Sequence, residues 1–369
     1  MRILLIGEYS GLHATLAEAL RQLGQEVTVI SDGNGWRNYP RDIDLSRQSS
    51  HKLSGIGYLL RVLRLLPRLR GYDLVQLINP DFIWLKAGRQ RLVYRYLRRH
   101  NKRVFIGAFG YDWYWVDAGL HKHLFRYGDF NIGTNMRTDE PQVQRLIREW
   151  IDTPKGRYCQ EVMTDCDGIP ACLYEYQECY SSYFPGKTRF IPLPIPVAER
   201  VSTERAKKSK VVIFIGIDRQ RTAYKGTDIM LRAAQDIRHA YGHRMKLVIA
   251  ESVPFAEYLQ MMEGADAILD QLYSYTPSMN SLLAMSMGII CIGGGEPESY
   301  EILGEHELRP IINVEPTYDS VYQALEDFIT HPERIADLKR QSVAYVRRHH
   351  DSIRVARQYL DFWSSEKLT

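Results

Sequence analysis

A chain of 369 residues with 48 Lys and Arg against 44 Asp and Glu, 45% hydrophobic and 25% charged, has the balance of a folded protein. It exceeds one ordinary core, so two domains are expected, and no apolar run approaches the roughly 20 residues of a membrane-spanning helix. Five cysteines without a C-x-x-C pair, four of them (Cys159, Cys166, Cys172, Cys179) at spacings foreign to zinc sites, are expected to be reduced and structural in a cytosolic protein.

In chain order, Met1-Arg2-Ile3-Leu4-Leu5-Ile6-Gly7 is too short for a signal-peptide core, has no small-residue cleavage site, and reads as a first strand. Helical periodicity over residues 12–23, Gly24 as terminator and a strand at residues 27–30 complete a βαβ unit. Its first loop, Gly7-Glu8-Tyr9-Ser10-Gly11, lacks the G-x-G-x-x-G fingerprint, which speaks against a nicotinamide or flavin enzyme. His13 beside it either reaches a phosphate or hydroxyl or is a structural residue of the helix's first turn.

From residue 41 to residue 110 fifteen basic residues meet four acidic ones, an excess of eleven where the whole chain has +4. Residues 58–68, Tyr-Leu-Leu-Arg-Val-Leu-Arg-Leu-Leu-Pro-Arg, are apolar with Arg at three- and four-residue spacing, and residues 89–103 are similar. Such helices can lie on an anionic membrane surface. An ordinary solvated face and a nucleic-acid surface are the other readings, the last without any recognised motif. Residues 73–78 and 103–108 read as core strands, the second leading into Gly110-Tyr111-Asp112-Trp113-Tyr114-Trp115. Ligands gather at strand ends in such sheets, which places Asp112 to orient or deprotonate a hydroxyl, with aromatics to stack on a ring. Equally, Asp112 caps a turn and the aromatics close the core. His121-Lys122-His123 and His349-His350 lack the partners of a metal site and are expected to be exposed.

Residues 183–196 carry Pro185, Pro192, Pro194 and Pro196, which force an extended path suited to a connection between lobes. The charged residues 198–210 form a solvated approach to the second half. That half opens as the first does, with a strand at 211–216, a helix at 226–241 and a strand at 246–250. The loop Gly216-Ile217-Asp218-Arg219-Gln220-Arg221-Thr222-Ala223-Tyr224-Lys225-Gly226 puts Arg219 and Lys225, with Arg221 as a rival, before a helix start. Two cations beside helix-terminal amides can hold a diphosphate; a solvated basic turn is the plainer reading.

Residues 265–301 are the most informative. A strand at 267–269 runs into a turn at 274–278, whose Ser and Pro residues cap a helix over 279–287. The amides of Ser278, Met279 and Asn280 at that helix start would face an incoming anion. Gly288 ends the helix, residues 289–292 form a buried parallel strand, and Gly293, Gly294 and Gly295 allow close backbone approach before Glu296 and Glu298. Helix-terminal amides on one side and carboxylates on the other suit a phosphorylated, hydroxyl-rich ligand. Residues 332–367 are helical in pattern.

The segment 265–301 resembles the donor-binding segment of group 1 glycosyltransferases, which have the two-Rossmann GT-B fold. That family shows an acidic residue, seven others, a second Glu on the helix, then Ala-Met-x-x-Gly, an apolar strand, and Gly-Gly-x-Pro-Glu. Ala284-Met285-Ser286-Met287-Gly288 and Gly294-Gly295-Glu296-Pro297-Glu298 fit, and Lys225-Gly226 matches the family's diphosphate element. The two acidic positions fall on Tyr275 and Leu283. A Leu cannot accept hydrogen bonds from a ribose, so either another group such as Asn280 holds it or the donor is bound differently.

The resemblance implies an α/β protein of GT-B type, two Rossmann-like lobes facing a cleft. Its expected parts are an acceptor-binding lobe over 1–195, a nucleotide-sugar-binding lobe over 196–345 and a C-terminal helix, 346–369, returning to the first lobe. The implied activity is hexosyl transfer from a nucleotide-diphosphate sugar to a glycan or lipid-linked acceptor, with retention. Asp112 is the candidate catalytic residue, and Gly11, Arg219, Lys225, Tyr275, Ser278, Met279, Asn280, Glu296 and Glu298 are the candidate donor contacts. No cofactor and no obligatory metal are expected, the nucleotide sugar being a substrate, and no nucleic acid. The expected location is cytoplasmic, and peripheral at the inner face of the membrane if the basic helices of the first half lie on that surface. A nucleotide-sugar epimerase and a binding module that has lost catalysis are the alternatives.

Overall fold

The computed structural model describes residues 1–47, 52–198 and 210–365, so nearly all of the charged stretch expected at 198–210 lies outside the described residues. The chain divides into two compact units, one of Met1–Leu124, Arg145–Pro194 and Ser352–Thr369, the other of Phe125–Gln144 and Ile195–Asp351. Residues 125–144, early in the sequence, thus group with the later half.

The chain begins β1 (Arg2–Ile6), α1 (Leu12–Gln22), β2 (Glu26–Ser31), β3 (Ile43–Asp44), α2 (Lys52–Leu65), β4 (Leu74–Leu77), α3 (Ala87–His100), β5 (Arg103–Ile106) and α4 (Trp113–His121). It continues through β6 (Asn131–Ile132), β7 (Asn135–Met136), α5 (Pro141–Trp150), α6 (Pro154–Asp165), β8 (Ile169–Ala171), α7 (Tyr174–Ser181) and β9 (Thr188–Phe190). In the first unit β3-β2-β1-β4-β5 form a wholly parallel sheet. Continuous apolar runs such as Ile3-Leu4-Leu5-Ile6 are buried on both faces, as parallel strands covered by helices must be. The strand order reverses between β1 and β4, which creates a crevice at their carboxyl ends.

The second unit repeats the plan with β10 (Val211–Ile217), α8 (Thr222–Lys225), α9 (Thr227–Tyr241), β11 (Met245–Glu251), α10 (Phe255–Met262), β12 (Ala267–Leu269), α11 (Met279–Ser286) and β13 (Ile290–Gly293). After these come α12 (Pro297–Glu301), β14 (Ile312–Asn313), α13 (Tyr318–Thr330) and α14 (Ile335–His349). The sheet order β11-β10-β12-β13-β14 is again parallel and again reverses, here between β10 and β12. Ile213, Ile215, Ala233, Ile237, Leu269, Ile292, Leu325 and Phe328 belong to one core on this sheet. Gly288 ends α11 at φ +77°, a conformation that strains any side-chain-bearing residue.

The helical pattern over 332–367 is broken. His350 O accepts the Ile195 N–H at 2.7 Å and Asp351 bridges to Ile195, so backbone pairing replaces helix there. His349 and His350, expected to be exposed, are not: His350 is buried and His349 meets Glu305 at 2.6 Å. The last helix, α15 (Ser352–Ser364), packs on α1 inside the first unit. All five cysteines are buried thiols outside any disulfide. Among the described residues no helix is long and apolar enough to cross a membrane.

Candidate functional site

In the second unit three loops meet at the carboxyl ends of β10, β12 and β13. The loop after β10 ends in Lys225-Gly226, and Lys225 O accepts the Leu272 N–H at 3.0 Å. A Cβ on Gly226 would come within 2.8 Å of the Leu272 side chain, so glycine permits this approach. The loop after β13 folds onto the same segment. Glu296 N–H donates to Tyr275 O at 3.1 Å, and a Cβ on Gly294 would stand 2.2 Å from Ser274 O. Gly294 was expected to admit a ligand; the backbone it admits is the protein's own.

Arg219 projects from this edge with three-quarters of its side chain exposed, and Glu251 at the end of β11 takes its guanidinium at 2.5 and 2.9 Å. Arg221 lies over the Tyr224 ring, 5.4 Å from its centre. Ser278 caps α11: its Oγ accepts from Ser281 N–H. The helix start already meets an anion, because Asp270 accepts from Ser278 N–H at 2.9 Å and from Ser278 Oγ at 2.7 Å. Met279 opens the helix one residue on. Asn280 Nδ2 donates to the hydroxyl of Tyr258, whose ring lies over Gly216. Leu283 is half-buried on the same helix.

Tyr275, Glu296 and Glu298 are joined by residues that sequence reading passed over. The Tyr275 hydroxyl accepts Arg126 N–H at 2.7 Å, and its ring lies 5.0 Å from that of Tyr127. Arg126 donates to Glu296 at 2.7 Å and reaches both oxygens of Glu298. This pairing holds the Glu298 carboxyl below its usual range. Glu296, nearly buried, also accepts from the Tyr127 hydroxyl and from Asn313 Nδ2 at 2.9 Å. Burial first, then Glu296, pushes the Tyr127 phenol well above its ordinary value. From the same segment, Arg137 stacks 3.8 Å from the Tyr273 ring centre and donates to Ala223 O and Tyr224 O. Nothing in the pattern of residues 125–137 announces these contacts, since the partners are about 90 to 170 positions away in sequence. Asp270 did carry a signal, an acidic residue at the end of a buried strand.

In the first unit a cavity of about 710 Å³ opens at the β1/β4 reversal, lined by Glu8, Asp32, Tyr58, Asp81, Trp84 and Lys155 among others. That volume is within the range of small-molecule sites. Trp84 is 60% exposed, and its Nε1–H is fixed by Asp32 at 2.8 Å. Lys155 bonds Asp81 and, at 2.5 Å, Glu149. Glu8 accepts from the backbone N–H of His13 and Ala14, yet burial lifts its carboxyl to about 7. His13 is buried and structural. Gln76 donates to its Nε2 at 3.1 Å, which leaves Nδ1–H to donate to Gly7 O at 2.8 Å, and burial lowers its pKa to about 4. Gly11 starts α1 at φ +87° with Tyr39 packed against it.

Asp112 follows β5 as expected, but its carboxylate points inward. It caps α4 by accepting Trp115 N–H at 3.1 Å, takes the Tyr180 hydroxyl, is fully buried, and does not line the cavity. Burial raises its carboxyl to about 6. The surrounding Tyr114, Tyr180, Tyr183 and Phe184 rings close a core over it.

No family model matches the chain, and no curated protein matches it in sequence. Solved structures do match. Anabaena Alr3699/HepE, in complex with UDP and glucose, has a TM-score of 0.57 at 13% identity, covering 99% of this chain and 100% of its own. Sucrose-phosphate synthase of Thermosynechococcus elongatus has 0.53 at 15%, with 98% of each chain covered. A Listeria monocytogenes protein described as a UDP-N-acetylglucosamine 2-epimerase has 0.53 at 11%, covering 99% of this chain and 97% of its own. The fold is GT-B.

Proposed function

We propose that this protein is a glycosyltransferase, moving a hexose from a nucleotide-diphosphate donor to a glycan or lipid-linked acceptor with retention at the anomeric carbon. The observation that carries the reading is the mutual anchoring of three strand-end loops in the second unit, Lys225 O to Leu272 N and Tyr275 O to Glu296 N, within a GT-B fold. A likeness to HepE, which was solved with UDP and glucose, supports a nucleotide donor there.

In this reading Lys225, with Arg219, neutralises the diphosphate as it leaves, and the amides of Met279 and Asn280, next to Ser278, whose own N–H is held by Asp270, add helix-terminal donors. Asn280, steadied by Tyr258, takes the ribose contact that Leu283 cannot make. Glu296 and Glu298 accept from sugar hydroxyls, with Tyr275 fixing their loop. Side chains and amides suffice for the diphosphate, so turnover should survive excess EDTA. On the acceptor side the cavity holds the incoming hydroxyl. Glu8 fits proton transfer better than Asp112, because it lines the cavity, where burial lifts its carboxyl to about 7.

A thermal-shift screen with UDP, GDP and ADP names the nucleotide, and acceptor-dependent release of that nucleotide from its sugar conjugate tests transfer. Lys225→Ala should lower kcat/KM roughly ten- to a hundredfold, the loss of one charge-assisted contact, while the protein stays folded. Near-normal turnover would remove Lys225 from the donor site. Hydrolysis with sugar isomerisation would favour an epimerase, the reading supported by the Listeria likeness. Absence of nucleotide binding would favour a module without catalysis, in line with Arg126 already pairing Glu296 and Glu298.

A further inference from the structure

Helix α2 is apolar on both sides. Tyr58 and Val62 face inward, 4% and 2% exposed, whereas Ile56, Leu60 and Leu63 on the opposite face are 55%, 47% and 48% exposed. The spacing i, i+4, i+7 makes these three one continuous stripe. An outward helix face in a globular unit is ordinarily polar, so this one calls for a partner. The stretch of chain that contains it carries one sign of charge: residues 45–72 contain Arg47, Lys52, Arg61, Arg64, Arg68 and Arg70 and no acidic residue. Arg64, Arg68 and Arg70 are exposed.

We propose that the outward face of α2 rests on an anionic phospholipid surface, with Ile56, Leu60 and Leu63 entering the acyl boundary and Arg64, Arg68 and Arg70 in the headgroup layer. Apolar side chains flanked by cations match the two layers of such a surface. A second copy of this chain fits worse. A two-fold contact would set these arginines against their own copies, and three side chains cover far less than the roughly 1,600 Å² of a stable dimer. A nucleic acid would leave the apolar centre unmatched, since such interfaces are polar. The inference does not depend on the transferase reading, and its test involves neither donor nor acceptor.

The full chain is sedimented with vesicles of about 30 mol % phosphatidylglycerol in phosphatidylcholine, and with phosphatidylcholine alone, at low and high salt. Binding is expected to the anionic vesicles and to weaken with salt. The combined Ile56→Ser, Leu60→Ser, Leu63→Ser variant should bind at least about tenfold more weakly with an unchanged melting temperature. Replacing Arg64, Arg68 and Arg70 by Gln should cost about fivefold per charge. Failure of the natural sequence to sediment with anionic vesicles, or a serine variant that binds as well as it does, overturns the proposal. A dimer in sedimentation equilibrium that the serine variant dissolves would assign the face to a second copy and overturn it equally.

Discussion

Glu8 in the loop after β1 and His13 in the first turn of α1 stand five residues apart, and burial moves both toward neutrality. Glu8 rises from 4.5 to about 7, so its contribution to stability is fully present below pH 4.5 and is lost as pH climbs to about 7. His13 falls from 6.5 to about 4, and its contribution is lost in the opposite direction, as pH drops from about 6.5 toward 4. Comparison with Glu8→Gln separates the two. The unfolding free energy of the natural protein should lose up to about 3 kcal/mol relative to that variant between pH 4.5 and 8, read by denaturant melts. If Glu8 also takes the acceptor proton, Glu8→Gln abolishes the acid limb of the kcat/KM profile near pH 7; an intact limb assigns that proton elsewhere. Neither shift is visible in the sequence, because a Glu at a strand end reads the same whether or not the fold closes over it.

At the scale of elements, the segment 125–144 is the part that sequence order misplaces. β6 and β7 carry Arg126 and Arg137 to either side of the strand-end loops of the second unit. Arg126 pairs with Glu296 and Glu298 in the loop after β13, and Arg137 holds the carbonyls of Ala223 and Tyr224 just before Lys225. The guanidinium over Tyr273 adds a cation–π contact of about 0.5–2 kcal/mol. Arg137→Ala should therefore speed amide exchange over residues 221–226 and raise the donor KM about tenfold, with little change in the melting of the sheet. Unaltered exchange there would mean that the loop is set by Gly226 and Leu272 alone. The periodic elements were legible: β1, α1, β12 and α11 fall within a residue or two of their expected bounds. The break at His350–Asp351 was not, since it comes from pairing with Ile195 rather than from any helix-breaking residue.

For the molecule as a whole, the last helix completes the first unit. Trp363 and Phe362 are buried, Trp363 Nε1–H donates to Gln76 at 3.1 Å, and Gln76 continues the chain of bonds through His13 to Gly7. Residues at the two ends of the chain thus fix the loop that lines the cavity. Trp363→Ala should destabilise the first unit by about 3–5 kcal/mol, and calorimetry should show one of two transitions falling while the other stays. A single transition that falls as a whole would show that the units melt together.

The sequence by itself determined the repeated βαβ plan and the GT-B resemblance. Local periodicity, glycine placement and helix-start chemistry act over a few residues and need no tertiary partner. Only the tertiary structure decided what each polar group does. It turned Asp112 inward as a cap, set Asp270 against the start of α11, and brought Arg126 and Tyr127 onto Glu296. Burial and pairing depend on residues up to about 290 positions away, and those distances are created by folding.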